Sequence, residues 1–317
     1  MGFLQKLLPY RHIVIQCHNF PDSDTVGAAY SAYRYLTEKG IEAEMIYGGP
    51  TPIDRREMQT FLKECRIPLT YTHTLPACDL LLVIDGQYGQ SNVEKFEAPA
   101  VAMIDHHVRV APESELTLIR SDYQSCSTIM WELLSEEGFD VEADPLLVTA
   151  LLYGLYIDTS HFTELYHAAD IHMKTTLKNV SPVLDQLMKS QMTAAEFMVA
   201  AEAMGNIQID PLLHCAVVPA IKCSQAVLGI IGDFVINIDI VSVSVVYSLN
   251  SDGWRVSVRS SDRAHPANQI VRAICEGIGS GGGHWNKSAG RLDVGIMEKA
   301  GLGEDVIFER LQKAMEA

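Results

Sequence analysis

Aspartates and histidines, residue types that commonly bind divalent metal ions, follow three apolar segments of this chain. They are His18, Asp22 and Asp24 after the first segment, Asp85 after the second, and Asp105, His106 and His107 after the third. A single loop aspartate is usually a helix cap or a turn former. The occurrence of such residues after three separate segments nevertheless predicts a metal site. Mixed carboxylate and imidazole ligands suit manganese, iron, cobalt or zinc better than magnesium, and a shared carboxylate would make the site binuclear.

The segments before these residues predict the elements that position them. Strands are expected at 12–17, 41–47, 80–84 and 100–104, and helices at 25–38, 127–137 and 145–157. Strands that alternate with helices are typical of an α/β domain with a parallel, doubly wound sheet. Such sheets bind ligands beyond the carboxyl ends of their strands, so the candidate ligands should meet at one edge. Asp158, which follows the last of these helices, is a further candidate, although it could simply end a buried helix.

The later part of the chain predicts a second, smaller α/β domain. Strands are expected at 214–219, 240–249 and 254–260, and helices at 267–277 and 304–314. The sequence N-S-D-G at 250–253 indicates a hairpin turn between the last two strands. We therefore expect a metal-binding domain at 1–190, a helical connector at 191–210 and a substrate-binding domain at 211–317.

A glycine-rich segment, G-S-G-G-G-H at 279–284, lies in the only basic part of the second domain. Residues 253–291 carry six lysines and arginines against two acidic residues. Consecutive glycines let backbone amides converge on an anion, and His284 with Arg259 could complete a phosphate clamp. A flexible glycine turn is an equally good interpretation. The spacing matches neither a nucleotide P-loop nor a dinucleotide-binding fingerprint.

Composition narrows the range of partners. The net charge is −16, with 13 basic and 26 acidic residues in 1–185, so long duplex nucleic acid is a poor candidate while a small phosphate-bearing ligand is not.

The seven cysteines form no C-x-x-C pair, which argues against a disulfide framework. Without a membrane span or a leader sequence, the expected location is the cytoplasm. The sequence leaves open whether the chain forms a homodimer.

Taken together, these motifs resemble the DHH phosphoesterase family, in the branch that carries a DHH-associated C-terminal domain. The resemblance runs along nearly the whole chain: H-N-F-P-D-S-D (18–24), V-I-D (83–85), I-D-H-H (104–107), Y-I-D-T (156–159), V-R-S (258–260) and G-G-G-H (281–284). It implies two manganese ions, although other divalent transition metals could replace them. The resemblance assigns His18, Asp22 and Asp85 to the first ion, and Asp24, Asp85, His106 and Asp158 to the second.

The same resemblance suggests roles for the other motif residues. Asp105 would orient a histidine, and His107 would contact phosphate or donate a proton. Substrate would be held by residues of the second domain across a catalytic cleft between the domains: Arg259, Ser260, Gly281, Gly282, Gly283 and His284. After Asp158 the chain reads T-S-H-F-T-E, so an arginine expected there is absent. His161, His167 and His172 could form a separate zinc site, although surface histidines are the simpler interpretation.

The expected activity is a manganese-dependent hydrolysis of phosphate esters in small nucleotides. Short oligonucleotides, linear or cyclic dinucleotides and 3′-phosphoadenosine 5′-phosphate are the substrate candidates. Two alternatives remain: an inorganic polyphosphatase or pyrophosphatase, and a non-catalytic nucleotide sensor. The glycine-rich segment argues against the first, and the complete ligand set argues against the second.

Overall fold

A computed structural model describes residues 2–53, 55–189, 193–251 and 253–316. The chain divides between residues 191 and 192 into two compact units. The helix predicted within the connector, observed at Ala194–Met204, belongs to the second unit. Asp252 of the expected hairpin turn lies outside the described residues. Within the described residues, no helix is both long enough and apolar enough to span a bilayer.

The first unit is built on a six-stranded parallel sheet, as the alternation of strands and helices predicts. Its strands are β1 (His12–Cys17), β2 (Glu42–Tyr47), β3 (Leu69–Tyr71), β4 (Leu80–Ile84), β5 (Val101–Asp105) and β6 (Thr117–Ile119). The spatial order is β3-β2-β1-β4-β5-β6. The strand order reverses between β1 and β4, which creates a crevice at their carboxyl ends.

Six α-helices lie in the described part of the first unit. They are α1 (Ser23–Glu38), α2 (Arg56–Glu64), α3 (Cys126–Glu136), α4 (Pro145–Asp158), α5 (Ala168–Thr176) and α6 (Val183–Lys189). Alternate strand residues such as Ile13 and Leu82 pack in the helical core on one face of the sheet. The opposite residues, among them Val14 and Val83, pack against irregular segments that contribute Val93 and Phe96. Helices therefore cover one face, and loops cover the other.

The second unit contains a mixed sheet with helices, which agrees with the predicted smaller α/β domain. Its strands are β7 (Gln208–Asp210), β8 (Cys215–Ala220), β9 (Val243–Asn250), β10 (Gly253–Ser260), β11 (Gly279–Gly283) and β12 (Lys287–Leu292), in the order β11-β12-β10-β9-β8-β7. Its helices are α7 (Ala194–Met204), α8 (Gln225–Val235), α9 (Ala267–Cys275), α10 (Val294–Lys299) and α11 (Asp305–Glu316). Among the described strands of this second sheet, only β8 and β9 pair in parallel.

The glycine-rich segment forms a strand, so its alternative interpretation as a flexible turn is wrong. Gly279–Gly283 is edge strand β11, which pairs antiparallel with β12. A Cβ at Gly281 would lie 2.9 Å from Val271 Cγ2, and one at Gly290 would lie 2.7 Å from Cys275 Sγ. Both glycines therefore permit close packing of α9 on the hairpin. A Cβ at Gly282 would instead meet open space, so packing does not explain the glycine at that position.

Candidate metal centre

Asp85 occupies the centre of the candidate site, directly beyond the carboxyl end of β4. Its carboxylate is almost completely buried, and its two oxygens face different histidines. Oδ2 lies 3.7 Å from His18 Nε2, and Oδ1 lies 3.2 Å from His106 Nε2. The backbone at Asp85 has a φ of +59°, an uncommon conformation that aspartate tolerates better than most residues. The strand end and this strained turn together place one carboxylate between two groups of ligands.

The first group consists of His18, Asp22 and Asp85, whose ligand atoms lie within 4.8 Å of one another. Asp22 is the N-cap of α1, and its Oδ1 accepts hydrogen bonds from the backbone N–H groups of Asp24 and Thr25. Its Oδ2 is left facing His18 Nε2 at 3.7 Å. The cap therefore fixes the carboxylate so that one oxygen serves the helix and the other points into the site.

The second group consists of Asp24, Asp85 and His106, again with ligand atoms within 4.8 Å. Asp24 is fully buried, and its oxygens accept hydrogen bonds of 2.6 and 2.9 Å from the N–H groups of Cys126 and Ser127. These amides begin α3, so the helix terminus supports the negative charge. Asp158, the last residue of α4, places Oδ2 at 3.5 Å from His106 Nε2.

A backbone carbonyl orients the imidazole of His106. His106 Nδ1 donates a hydrogen bond of 3.2 Å to the carbonyl oxygen of Tyr123, which assigns the proton to Nδ1. Nε2 is then the nitrogen that faces the carboxylates, as it must be in a ligand. Sequence reasoning did not identify Tyr123, because a carbonyl acceptor leaves no signature in side-chain types.

The charges in the cluster displace several pKa values in the directions that suit a cation site. Burial and the charges of Asp158 and Asp85 raise the pKa of Asp24 well above its ordinary value. Burial favours neutral His106, but the Asp85 carboxylate 3.2 Å away and the other surrounding carboxylates outweigh it, so the pKa of His106 is raised well above its ordinary value. Burial also favours neutral His18, but Asp22 and Asp85 outweigh it and raise the pKa of His18. The fold therefore concentrates negative charge that positive charge must offset.

The donor set fits two divalent cations. Asp85 Oδ1 is buried and makes no hydrogen bond of standard geometry within the described part of the chain. A carboxylate whose oxygens face two separate sets of carboxylates and imidazoles is suited to bridge two ions. The structure thus brings together all six residues expected to be ligands: His18, Asp22, Asp24, Asp85, His106 and Asp158.

Asp105 and His107 form a separate hydrogen-bonded pair beside this centre. Asp105 Oδ1 accepts a hydrogen bond of 2.8 Å from His107 Nδ1, and its Oδ2 accepts one of 2.7 Å from the amide of Gln87. Gln87 Oε1 in turn accepts hydrogen bonds from the N–H groups of Val110 and Ala111. Burial would raise the pKa of Asp105, but His107, His106 and Gln87 hold it at about 2. Gln87 thus ties the loop after the D-H-H motif to the carboxylate that orients His107.

Asp105→Asn should lower turnover about 10- to 100-fold while leaving the bound metal content unchanged, because asparagine cannot reproduce the charged acceptor for His107. Removing the carboxylate should also lower the pKa of His107, which Asp105 now helps to raise against the effect of burial. The descending limb of the pH–rate profile should therefore move to lower pH if His107 acts as an acid. Steady-state rates and metal analysis of the purified variant would measure both effects. A loss of metal equal to the loss of activity would contradict this assignment.

The expected substrate-binding residues lie in the second unit, and the structure gives them defined partners. The Arg259 guanidinium forms an ion pair with Asp233, with Nε 2.5 Å from Oδ1, and its Nη1 also donates to Ser257. Ser260 Oγ donates to the carbonyl of His265, and the backbone N–H of His284 donates to the carbonyl of Lys287. Gly281–Gly283 and Arg259 lie on β11 and β10, on either side of β12.

The alternative zinc site is not supported by the described residues. The three histidines contact three different aromatic rings: His161 stacks on Tyr156, His167 lies tilted against Tyr123, and His172 meets Trp131 edge to face. None of these histidines belongs to a described group whose ligand atoms could share an ion. The more ordinary interpretation of these residues, as individual side chains, fits the structure better.

Comparison with known proteins identifies a family domain in the first unit. Residues 12–155 match the model of the DHH family, N-terminal domain. The first unit therefore carries a DHH-family domain, as the motifs predict, and the match runs from β1 into α4.

Curated relatives extend the similarity over nearly the whole chain. An uncharacterised protein of Methanocaldococcus jannaschii is 23% identical over 96% of this chain and 63% of its own length. The cyclic-di-AMP phosphodiesterase GdpP of Geobacillus thermodenitrificans is 25% identical over 90% of this chain and 45% of its own. The cyclic-di-AMP phosphodiesterase PdeA of Listeria monocytogenes is 22% identical over 93% and 47%. The chain thus spans about half to two thirds of the length of these relatives.

Solved structures share the fold of both units. An exopolyphosphatase-related protein from Bacteroides fragilis aligns with a TM-score of 0.79 and 18% identity, covering 99% of this chain and 96% of that one. RecJ from Thermus thermophilus, solved in complex with Mn²⁺, aligns with a TM-score of 0.57 and 14% identity over 99% of this chain and 53% of its own. At these identities the comparison establishes the fold.

Proposed function

We propose that this chain hydrolyses phosphate ester bonds in small nucleotides with the aid of two divalent cations, most suitably Mn²⁺. One observation carries the proposal: the Asp85 carboxylate turns one oxygen toward His18 and the other toward His106. His18 and Asp22 would complete one cation site, while Asp24, His106 and Asp158 would complete the other. Bound cations would act there as Lewis acids toward a phosphate and would lower the pKa of an attacking water.

Other groups of the first unit would orient the candidate metal ligands and supply a proton. The N–H groups of α1 and α3 hold Asp22 and Asp24 in place, and the Tyr123 carbonyl fixes the ring of His106. His107, oriented by Asp105, is the candidate to contact phosphate or to protonate the leaving oxygen. Hydrogen bonding to Asp105 helps to raise the pKa of His107 against burial, which favours its protonated form as a donor.

In the second unit, we propose phosphate or base contacts by Arg259, Ser260, Gly281, Gly282, Gly283 and His284. Asp233 would orient the Arg259 guanidinium, since its two oxygens face Nε and Nη2. The open space beside Gly282 would let a ligand approach the backbone of β11. This feature favours nucleotide hydrolysis over the polyphosphatase alternative, because a backbone without a side chain leaves room for a bulky group.

The sequence relatives support a nucleotide as the substrate class, because two of them are named cyclic-di-AMP phosphodiesterases. The acidic composition supports a small substrate, since long strands require a continuous basic surface. The intact set of six ligands also favours an enzyme over a nucleotide sensor that has lost catalysis.

A substrate panel with a length series would test the proposed function. With Mn²⁺ present, turnover should be high on linear or cyclic dinucleotides or on 3′-phosphoadenosine 5′-phosphate, and should fall steeply beyond about five nucleotides. Chromatography of products from strands of two to about twenty-four nucleotides would measure this dependence.

Three results of that panel would contradict the proposal. Rising efficiency on the longest strands would indicate an exonuclease that moves along its substrate. Activity confined to pyrophosphate or polyphosphate would establish the inorganic alternative, and binding without turnover would indicate a sensor.

A further inference from the structure

A shallow cleft lies in the first unit beside the His18 and Asp22 half of the metal centre. Its walls are Phe20 and Pro21 on one side, and Thr51–Ile53 with Arg55 on the other. Phe20 lies between the two candidate ligands in sequence, and its side chain is 61% exposed. An exposed aromatic ring at this point is not needed by the core, so it is available to contact a ligand.

The packing of the two loops holds the cleft in shape. Gly49 has a φ of +99°, and a Cβ there would lie 2.7 Å from Asn19 Cβ, so the loop after β2 can approach residue 19 only with glycine. The Ile53 N–H donates a hydrogen bond of 2.9 Å to the Tyr47 hydroxyl. The Asn19 side chain accepts a hydrogen bond of 2.7 Å from the Glu94 N–H. These contacts fix both walls before any ligand binds.

Arg55 brings positive charge to the cleft. Its Nη2 donates a hydrogen bond to the Pro21 carbonyl, which directly precedes Asp22, and Glu57 lies 3.8 Å from its Nε. The hydrogen bond to Pro21 places the Arg55 guanidinium beside the backbone next to the candidate ligand Asp22. Its guanidinium has further N–H donors beyond the one used by Pro21.

We propose that Phe20 and Arg55 form a nucleotide subsite, in which Arg55 binds a phosphate beside the metal centre and Phe20 stacks against the attached base. This inference deepens the proposed function, because it specifies a phosphate with its own nucleobase as the group bound here. A guanidinium matches a phosphate through paired hydrogen bonds, and an exposed aromatic ring stacks on any base.

Binding measurements with three matched variants would test the subsite without relying on turnover. The probes are adenosine 5′-monophosphate and ribose 5-phosphate, titrated by calorimetry into the Mn²⁺-loaded full chain. Phe20→Leu should weaken binding of the nucleotide about tenfold and leave ribose 5-phosphate unchanged, because only the base is affected. Arg55→Met should weaken both ligands about tenfold or more. Arg56→Met, an exposed arginine next in sequence, should change neither.

The same variants separate failure of the subsite from failure of the proposed function. If wild type cleaves dinucleotides while Phe20→Leu and Arg55→Met keep its dissociation constants and KM, the subsite is wrong and the function stands. If wild type cleaves no nucleotide but the variants weaken the nucleotide as expected, the subsite stands and the hydrolysis fails. Wild type that binds neither probe would also overturn the subsite. Thermal unfolding of each variant would confirm that the fold is retained.

Discussion

Asp85→Asn is expected to abolish activity, by about a thousandfold or more, and to lower the bound Mn²⁺ from two ions per chain. The carboxylate faces both groups of ligands, so the loss of its charge weakens both cation positions together. Several kcal/mol of charge stabilisation by the cations correspond to about this factor in rate. Asparagine is the right replacement because it also populates the left-handed region that residue 85 occupies, whereas alanine would add strain.

Asp79→Asn provides the matched control for this experiment. Asp79 stands before β4, whereas Asp85 stands after it, and Asp79 accepts hydrogen bonds from the N–H groups of Arg11 and His12. Its replacement should cost some stability but keep both metal ions and the turnover. Elemental analysis would measure the bound Mn²⁺ of both variants, and steady-state rates would measure their turnover. A fully active Asp85→Asn protein with two ions would show that Asp85 does not bridge them.

Mn²⁺ is expected to raise the melting temperature by about 10 °C at pH 8 and by clearly less at pH 5.5. Two ions, each at about one hundred times its dissociation constant, add about 5 kcal/mol, which gives a shift of this size in a chain of this length. At the lower pH, protons compete with the cations for the raised-pKa groups, Asp24, His18 and His106. Calorimetric scans with Mn²⁺ or with a chelator at both pH values would measure the difference.

The directions of these pKa shifts also determine whether the metal-free protein gains or loses stability as pH rises. The raised pKa values of Asp24, His18 and His106 contribute stability that is present at low pH and is lost as pH rises through the folded values. The lowered pKa values of Asp22 and Asp105 act in the opposite sense, but only below about pH 4, where an unfolded aspartate titrates. Between pH 5 and 8 the chelated protein should therefore become less stable. A rising melting temperature over that interval would contradict the clustered-carboxylate description of the site.

Sequence reasoning predicted the strand ends well because a short, continuous apolar run is a local property of the sequence. The segments at 12–17 and 80–84 coincide with β1 and β4, and each is followed by candidate ligands that the fold brings together. The motif residues from separate strands could be grouped because parallel strands share one carboxyl edge.

Elements and partners that depend on distant packing could not be predicted in the same way. Helix α8 contains two glycines, which are unfavourable in a helix, but Gly229 and Gly232 leave the space that the Arg259 side chain occupies. The glycines in β11 were compatible with a flexible turn, but pairing with β12 and close packing of α9 place them in a strand. Gln87 and Arg55 have no motif of their own, because their roles arise from neighbours brought close by tertiary structure.

The hydrogen bonds of Asp24 have a consequence for the order of folding. They join its carboxylate to Cys126 and Ser127, more than one hundred residues away in sequence. Contacts of such long range form late, because the entropy of closing a large loop must be overcome first. The complete set of ligands therefore cannot exist in an early intermediate, and cations would bind a chain that has already reached its native topology. Metal ions should accordingly slow the unfolding of this protein much more than they accelerate its folding.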